Sequence, residues 1–158
     1  MEQQYENLLF LKEKINEIKV ALFRSEINSE VQLPNNIIQT LKVDDNGTIW
    51  FFTTLNRYNT GLIGKPFFAH LEYYKKGADC HLQLNGEAVI VDDAGYDLCA
   101  VDENKKGDFN YAVVMVKMKI TQAEFYEKKT ATNISWPKKI KTVFSHLFVP
   151  QHRVYNFS

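Results

Sequence analysis

At 158 residues the chain has the length of one domain of ordinary size, long enough to close a hydrophobic core. Hydrophobic residues make up 45% and aromatics 13%, which argues against disorder and favours a β-rich, aromatic-packed interior. Lys plus Arg and Asp plus Glu both number 19, so the formal net charge is zero. That balance argues against a general nucleic-acid binder, which needs a basic excess to displace counterions.

Leu8, Leu11, Ile15, Ile18 and Leu22 recur at three- and four-residue steps with charged residues between them. The spacing predicts an amphipathic helix of about five turns within residues 1–26. Its apolar stripe calls for a sheet as cover, and the mixed signs on its polar face argue against a membrane-surface helix. The first residues, MEQQYEN, lack the positive start and apolar run of an export signal. No apolar run approaches the ~18 residues of a membrane span, so the expected setting is the cytoplasm with no membrane partner. Cys80 and Cys99 are then expected as reduced thiols, and without a CxxC pair no metal site is expected.

Over residues 29–126 the period changes to two. Strands are expected at Ile37–Val43 and Ile49–Thr54, joined at Asp45-Asn46-Gly47. Asn-Gly tolerates positive φ at both central positions of a two-residue hairpin. A short polar turn or helix near Arg57–Lys65 leads into a strand at Phe67–Tyr74, and Lys75–Asp79 has turn chemistry. Cys80–Asn85 and Glu87–Val91 follow, with Gly86 as a bulge or a point of close backbone approach. Asp92–Gly95 ends that ladder, and a short helix is placed around Tyr96–Asn104.

Ala112–Ile120 is the cleanest strand: Ala112, Val114, Val116, Met118 and Ile120 face one way, Lys117 and Lys119 the other. Thr121-Gln122-Ala123-Glu124 reads as a capping box before a short helical turn. A last helix over 136–149 starts at Pro137. The set describes a single domain, mainly β: an antiparallel barrel with flanking helices.

For chemistry, the exit of the Ile49–Thr54 strand stands out, because Thr54, Asn56 and Arg57 keep hydroxyl, amide and guanidinium donors close together for an anionic ligand. Asp44-Asp45-Asn46-Gly47 lacks the alternate acidic spacing and final Glu of a calcium loop. The carboxylates of Asp92 and Asp93, as adjacent strand residues, point to opposite faces. No nucleophile with a placed base is visible, so no catalytic residue is assigned.

Four stretches in order carry a family likeness: Thr40-Leu41-Lys42; Gly47 to Thr53; Pro66 leading into Ala69-His70-Leu71-Glu72-Tyr73; and Leu82 to Asp92, with the ending Val114–Tyr126 beside them. Together they resemble the FMN-binding split-barrel superfamily, in its pyridoxamine 5′-phosphate oxidase-like and general-stress-protein branch. The resemblance implies a six-stranded Greek-key barrel that forms a homodimer, with FMN in a cleft between subunits. It matches Lys42 to a lysine on the FMN phosphate and Thr53, with Thr54 beside it, to a threonine near the flavin ring and ribityl chain. His81 and Gln83 fall where the family places polar flavin contacts.

The following loop normally holds a Ser and a Lys for the phosphate; here those positions read Arg57 and Asn59. The arginine that opens the first strand of the motif is replaced by Ile37. Charge-assisted hydrogen bonds contribute roughly 1.5–3 kcal/mol each, so losing one or two weakens FMN binding by one to several orders of magnitude. The resemblance implies an FMN-dependent oxidoreductase of unknown substrate if the protein is an enzyme. The arginine-bearing carboxy-terminal signature of a true pyridoxamine 5′-phosphate oxidase is not visible in Val149–Ser158. The alternative is a non-enzymatic dimer of the same fold, a ligand sensor or stress-linked protein whose flavin site is lost or weakened.

Overall fold

The computed structural model describes residues 2–26, 30–56, 61–77, 79–91, 111–127 and 151–157. The helix expected over 136–149, the one around Tyr96–Asn104, the Asp92-Asp93 pair and Cys99 lie outside the described residues. Helix α1 spans Glu2–Ile18 and buries Leu11 and Ile15 in the core, so the expected sheet cover is present. Phe10 reinforces that seat with an edge-on contact to Phe125, ring centroids 5.0 Å apart.

The helix has nearly the expected five turns but ends before Leu22, the last residue of the predicted stripe. Lys19 turns to φ 67° while its N–H still reaches the Ile15 carbonyl, and the chain enters strand β1, Val20–Ser25. Leu22 continues the helical stripe by spacing alone; in the strand it is Ala21 and Phe23 that turn inward. Pairing on both edges, with β2 (Asn36–Val43) and β4 (Pro66–Lys75), outweighs the local helical period.

Strands β3 (Thr48–Asn56), β5 (Cys80–Val91), β6 (Tyr111–Glu127) and β7 (Gln151–Asn156) complete the sheet. The order is β3-β2-β1-β4-β5-β6-β7, all antiparallel, and a further β3–β6 pairing closes the first six strands into a barrel. β1, β2 and β3 lie side by side and β4 returns beside β1, which is the Greek-key arrangement expected. β6 is long enough to serve two partners along one edge: Tyr111–Lys119 pairs with β3, and Gln122–Glu127 pairs with β7.

Three local devices set the strand faces. Between β2 and β3 the Asp44 carbonyl accepts from the Gly47 N–H, and the Asp44 N–H donates to the Thr48 carbonyl. Gly47 alone is at positive φ, 78°, so the connection is a three-residue loop rather than the expected two-residue hairpin. In β2 the register shifts between Thr40 and Lys42, which leaves Leu41 as an extra residue. In β6 the shift opposite Asn85 and Gly86 makes Thr121 the extra residue, so Ile120 and Ala123 both face inward. The Thr121–Glu124 capping box is therefore overturned: the segment is bulged strand, held at Thr121 by its hydroxyl donating to the Asn85 carbonyl.

The barrel interior is filled by the inward row of each strand, among them Phe23, Phe51, Phe67, Leu71, Leu84 and Ile90. Tyr73 also faces inward, its hydroxyl 2.6 Å from Thr40 Oγ1. Burial pushes this phenol well above its ordinary value, against a smaller opposing effect of the Thr40 hydrogen bond. In the unfolded chain it ionises near pH ~10. The stability it contributes is thus fully present below that pH and is lost as pH rises beyond it. Thermal melts across an alkaline series are expected to fall steeply above pH ~10, and Tyr73→Phe to flatten the fall. Identical slopes for the two proteins would contradict the assignment.

Candidate functional site

Lys42 is the best-placed of the expected site residues. The Leu41 bulge turns it to the outer face of β2, where it is 59% exposed and lies opposite Trp50 of β3. Its ammonium sits 4.6 Å from the centre of the indole ring, within cation–π range. Trp50 is in turn the cross-strand neighbour of Lys117 on β6, so the row on the outer wall reads Lys42, Trp50, Lys117.

Asp44 joins this row from the β2–β3 loop. Its Oδ2 accepts from the Trp50 indole N–H at 2.8 Å, and its Oδ1 lies 3.5 Å from Lys42 Nζ. The Trp50 hydrogen bond, with a lesser contribution from the Lys42 charge, holds this carboxyl below the usual carboxylate range against the opposing effect of burial. Asp44 is therefore an anion at neutral pH. Sequence reading treated it only as a turn residue; its partners become visible once the hairpin register is known.

Thr53 does not join them. Ile49, Phe51, Thr53 and Leu55 form the inward row of β3, and Thr53 is 2% exposed. Its hydroxyl has no hydrogen-bond partner among the described residues. A buried hydroxyl without a partner is a stability cost, so Thr53→Val is expected to raise stability by about 1 kcal/mol in urea unfolding. It should leave any flavin affinity unchanged; a loss of affinity would restore Thr53 to the site. Thr54, the next residue, points outward on the same wall as Trp50, half-buried. Arg57 and Asn59 lie outside the described residues.

His81 and Gln83 are on the outer face of β5, but far along the strand. The Lys42–Trp50–Lys117 row meets β5 at Val89, eight residues beyond His81 and six beyond Gln83. Followed the other way, through Tyr74 and β1, the His81 row meets β2 near Gln39. By either path three strand spacings, roughly 14 Å, separate β5 from β2, and the outward side chains of the two strands lie on opposite outer faces, so one protomer does not bring them to one ligand with Lys42. His81 instead lines an open groove of about 670 Å³ with Leu22, Glu72, Tyr74, Asp79 and Tyr126. Tyr74 meets its ring edge-on at 6.4 Å, and Arg24 on β1 pairs with Glu72.

The outer wall fits the phosphate end of a phosphorylated flavin in kind, since two lysines flank an indole there. It departs from the expected set in two ways: Ile37 is an apolar side chain, 64% exposed, where a cation was implied, and Asp44 adds a negative charge beside Lys42. Among the described residues no three His, Cys, Asp or Glu side chains gather as a metal set, and no helix is long and apolar enough to cross a membrane.

No protein-family model matches the chain, and no curated protein matches it significantly. Solved structures do. A general stress protein 26 from Jannaschia sp. CCS1 aligns over 96% of this chain and 99% of its own, with TM-score 0.58 and 15% identity. A Clostridium acetobutylicum protein related to general stress protein 26, of the pyridoxinephosphate oxidase family, covers 97% and 96% at TM-score 0.56 and 13% identity. A general stress FMN/FAD binding protein from Xanthomonas citri covers 87% and 97% at TM-score 0.54 and 12% identity. Near-complete coverage in both directions, with the closed Greek-key sheet on the page, gives this chain the split-barrel fold of those general stress proteins.

Proposed function

We propose that this chain is a cytoplasmic, homodimeric flavin-binding protein, holding FMN more weakly than a full set of phosphate cations would allow. The observation that carries the reading is the outward placement of Lys42 against Trp50, on the wall of a barrel whose structural neighbours include a protein described as FMN/FAD binding. Lys42, with Lys117 across the indole, would neutralise the phosphate, and Thr54 offers a hydroxyl on the same wall. Arg57 follows directly on the end of β3 and is the remaining cation of the expected set.

The placement of His81 and Gln83 three strands round the barrel from Lys42 favours a site completed by a second protomer, which would bring those side chains from the other copy. Outward apolar residues, Leu41, Tyr111 and Val113, supply the kind of surface such an association buries. Near-zero net charge removes one barrier to it. When bound, the flavin supplies the electron-transfer chemistry, and the protein supplies position and local charge. Whether that amounts to an oxidoreductase depends on a substrate.

Phosphate recognition is tested by comparing FMN with riboflavin, which lacks the phosphate, by quenching of flavin fluorescence. Lys42→Ala is expected to weaken FMN about tenfold or more and riboflavin little, as the loss of one charge-assisted hydrogen bond implies. Equal weakening of both would remove Lys42 from the phosphate role. A second reading, a non-enzymatic dimer with a decayed flavin site, is favoured by the Asp44 carboxylate on Lys42 and by exposed Ile37. It predicts no thermal stabilisation by excess of either flavin, because any ligand specific for the native state must stabilise it.

A further inference from the structure

We propose that Asp44 is a specificity-determining residue of the Lys42–Trp50 wall, disfavouring a phosphate dianion and favouring flavins whose side chain ends uncharged. The inference deepens the flavin reading and rests on it. Its basis is that the amine assigned to the phosphate already has an anionic partner, fixed from two sides. Trp50 holds one carboxylate oxygen at 2.8 Å, and Lys42 stands 3.5 Å from the other.

Asp44 is anchored by its own loop as well. Its N–H and carbonyl close the β2–β3 turn onto Thr48 and Gly47, so the side chain leaves the backbone at a set point. A phosphate oxygen bonded to Lys42 Nζ at about 2.8 Å would therefore lie within about 6.3 Å of Asp44 Oδ1, where like charges repel appreciably. The ammonium has three donors and can serve two anions geometrically. Its single positive charge, however, does not balance a carboxylate together with a dianion. Two other cations near this loop are occupied, Lys12 by Asp45 at 2.6 Å and Lys119 by the Asn46 carbonyl. Lys117 remains as the second cation of the row, across the indole from Lys42.

A flavin that ends in hydroxyls meets no such repulsion. The Asp44 carboxylate accepts hydrogen bonds from hydroxyl groups, and the indole offers an apolar ring beside it. The pairing thus separates two ligands that share a ring system and differ in tail charge.

The test uses the full chain, with FMN and riboflavin as probes and flavin fluorescence quenching at equilibrium as readout. Asp44→Asn keeps an oxygen to accept from Trp50 and removes the charge. It is expected to tighten FMN about tenfold, from one like charge lost near a dianion, and to change riboflavin less than about twofold. Adding Lys42→Met to Asp44→Asn should abolish the gain. Asp44→Ser provides the same loss of charge should the Asn variant fold poorly. Unchanged or weaker FMN binding in a folded Asp44 variant, or an equal gain for both flavins, overturns the proposal. If no protein binds either flavin, the flavin reading itself fails and the proposal falls with it. Riboflavin binding without the FMN gain overturns the role of Asp44 alone.

Discussion

Gly86→Ala is expected to be the most damaging glycine-to-alanine change among the described residues, destabilising the chain by about 3 kcal/mol or more. Gly86 faces the Thr121 bulge, where β6 passes so close that an added Cβ would lie 2.1 Å from the Lys119 carbonyl oxygen and 2.9 Å from its carbon. Those atoms are backbone in a strand paired on both edges, with β5 and β3, so neither partner yields without breaking ladder bonds. For a domain of this size each kcal/mol moves the midpoint by about 2–4 °C, giving a fall on the order of 6–12 °C. Gly61→Ala is the matched control, because nothing lies within 4 Å of its would-be Cβ. It should be neutral or slightly stabilising. A Gly86→Ala protein melting with the wild type would mean that β6 is not bulged at Thr121.

Phe51→Ala is expected to cost about 3–5 kcal/mol, the range for emptying a fully buried aromatic site. Phe51 is completely buried in the inward row of β3, its ring 5.2 Å from that of Phe23, which in turn meets Phe67 at 6.5 Å. One ring therefore ties β3 to β1 and, through it, to β4 across the barrel. The surrounding strands are closed into a ring and have little freedom to collapse into the void. Urea unfolding should show a lower midpoint with an unchanged slope. A loss below about 1 kcal/mol would place Phe51 on the outer wall instead, and would reverse the assignment of Trp50 and Thr53 with it.

Much of this barrel was legible because its strands alternate cleanly. β3, β4 and the first half of β6 were read nearly to their ends, and of the two readings of Gly86, bulge or close backbone approach, the second holds, the extra residue lying opposite it in β6. β1 was hidden because Leu22 falls in phase with the helical stripe of α1 and the joint between helix and strand consumes only Lys19. The second half of β6 was mistaken for a capped turn because the Thr121 bulge breaks the alternation that identifies a strand. For the site, Lys42 was named through family likeness and stands on the open wall. Thr53 was named in the same way, yet its direction could have been read from parity, since Ile49, Phe51 and Leu55 share its face. Asp44 and the separation of His81 from Lys42 were out of reach, because both depend on register between strands rather than on the order of residues.

The central claim is that two copies of this barrel together hold a flavin, and sedimentation velocity followed at both protein and visible flavin absorbance tests it in one run. With FMN or riboflavin in excess, the flavin signal is predicted to travel with a species of twice the 18.4 kDa chain mass. Protein moving at the mass of one chain, or a dimer that leaves all of both flavins behind, would contradict it.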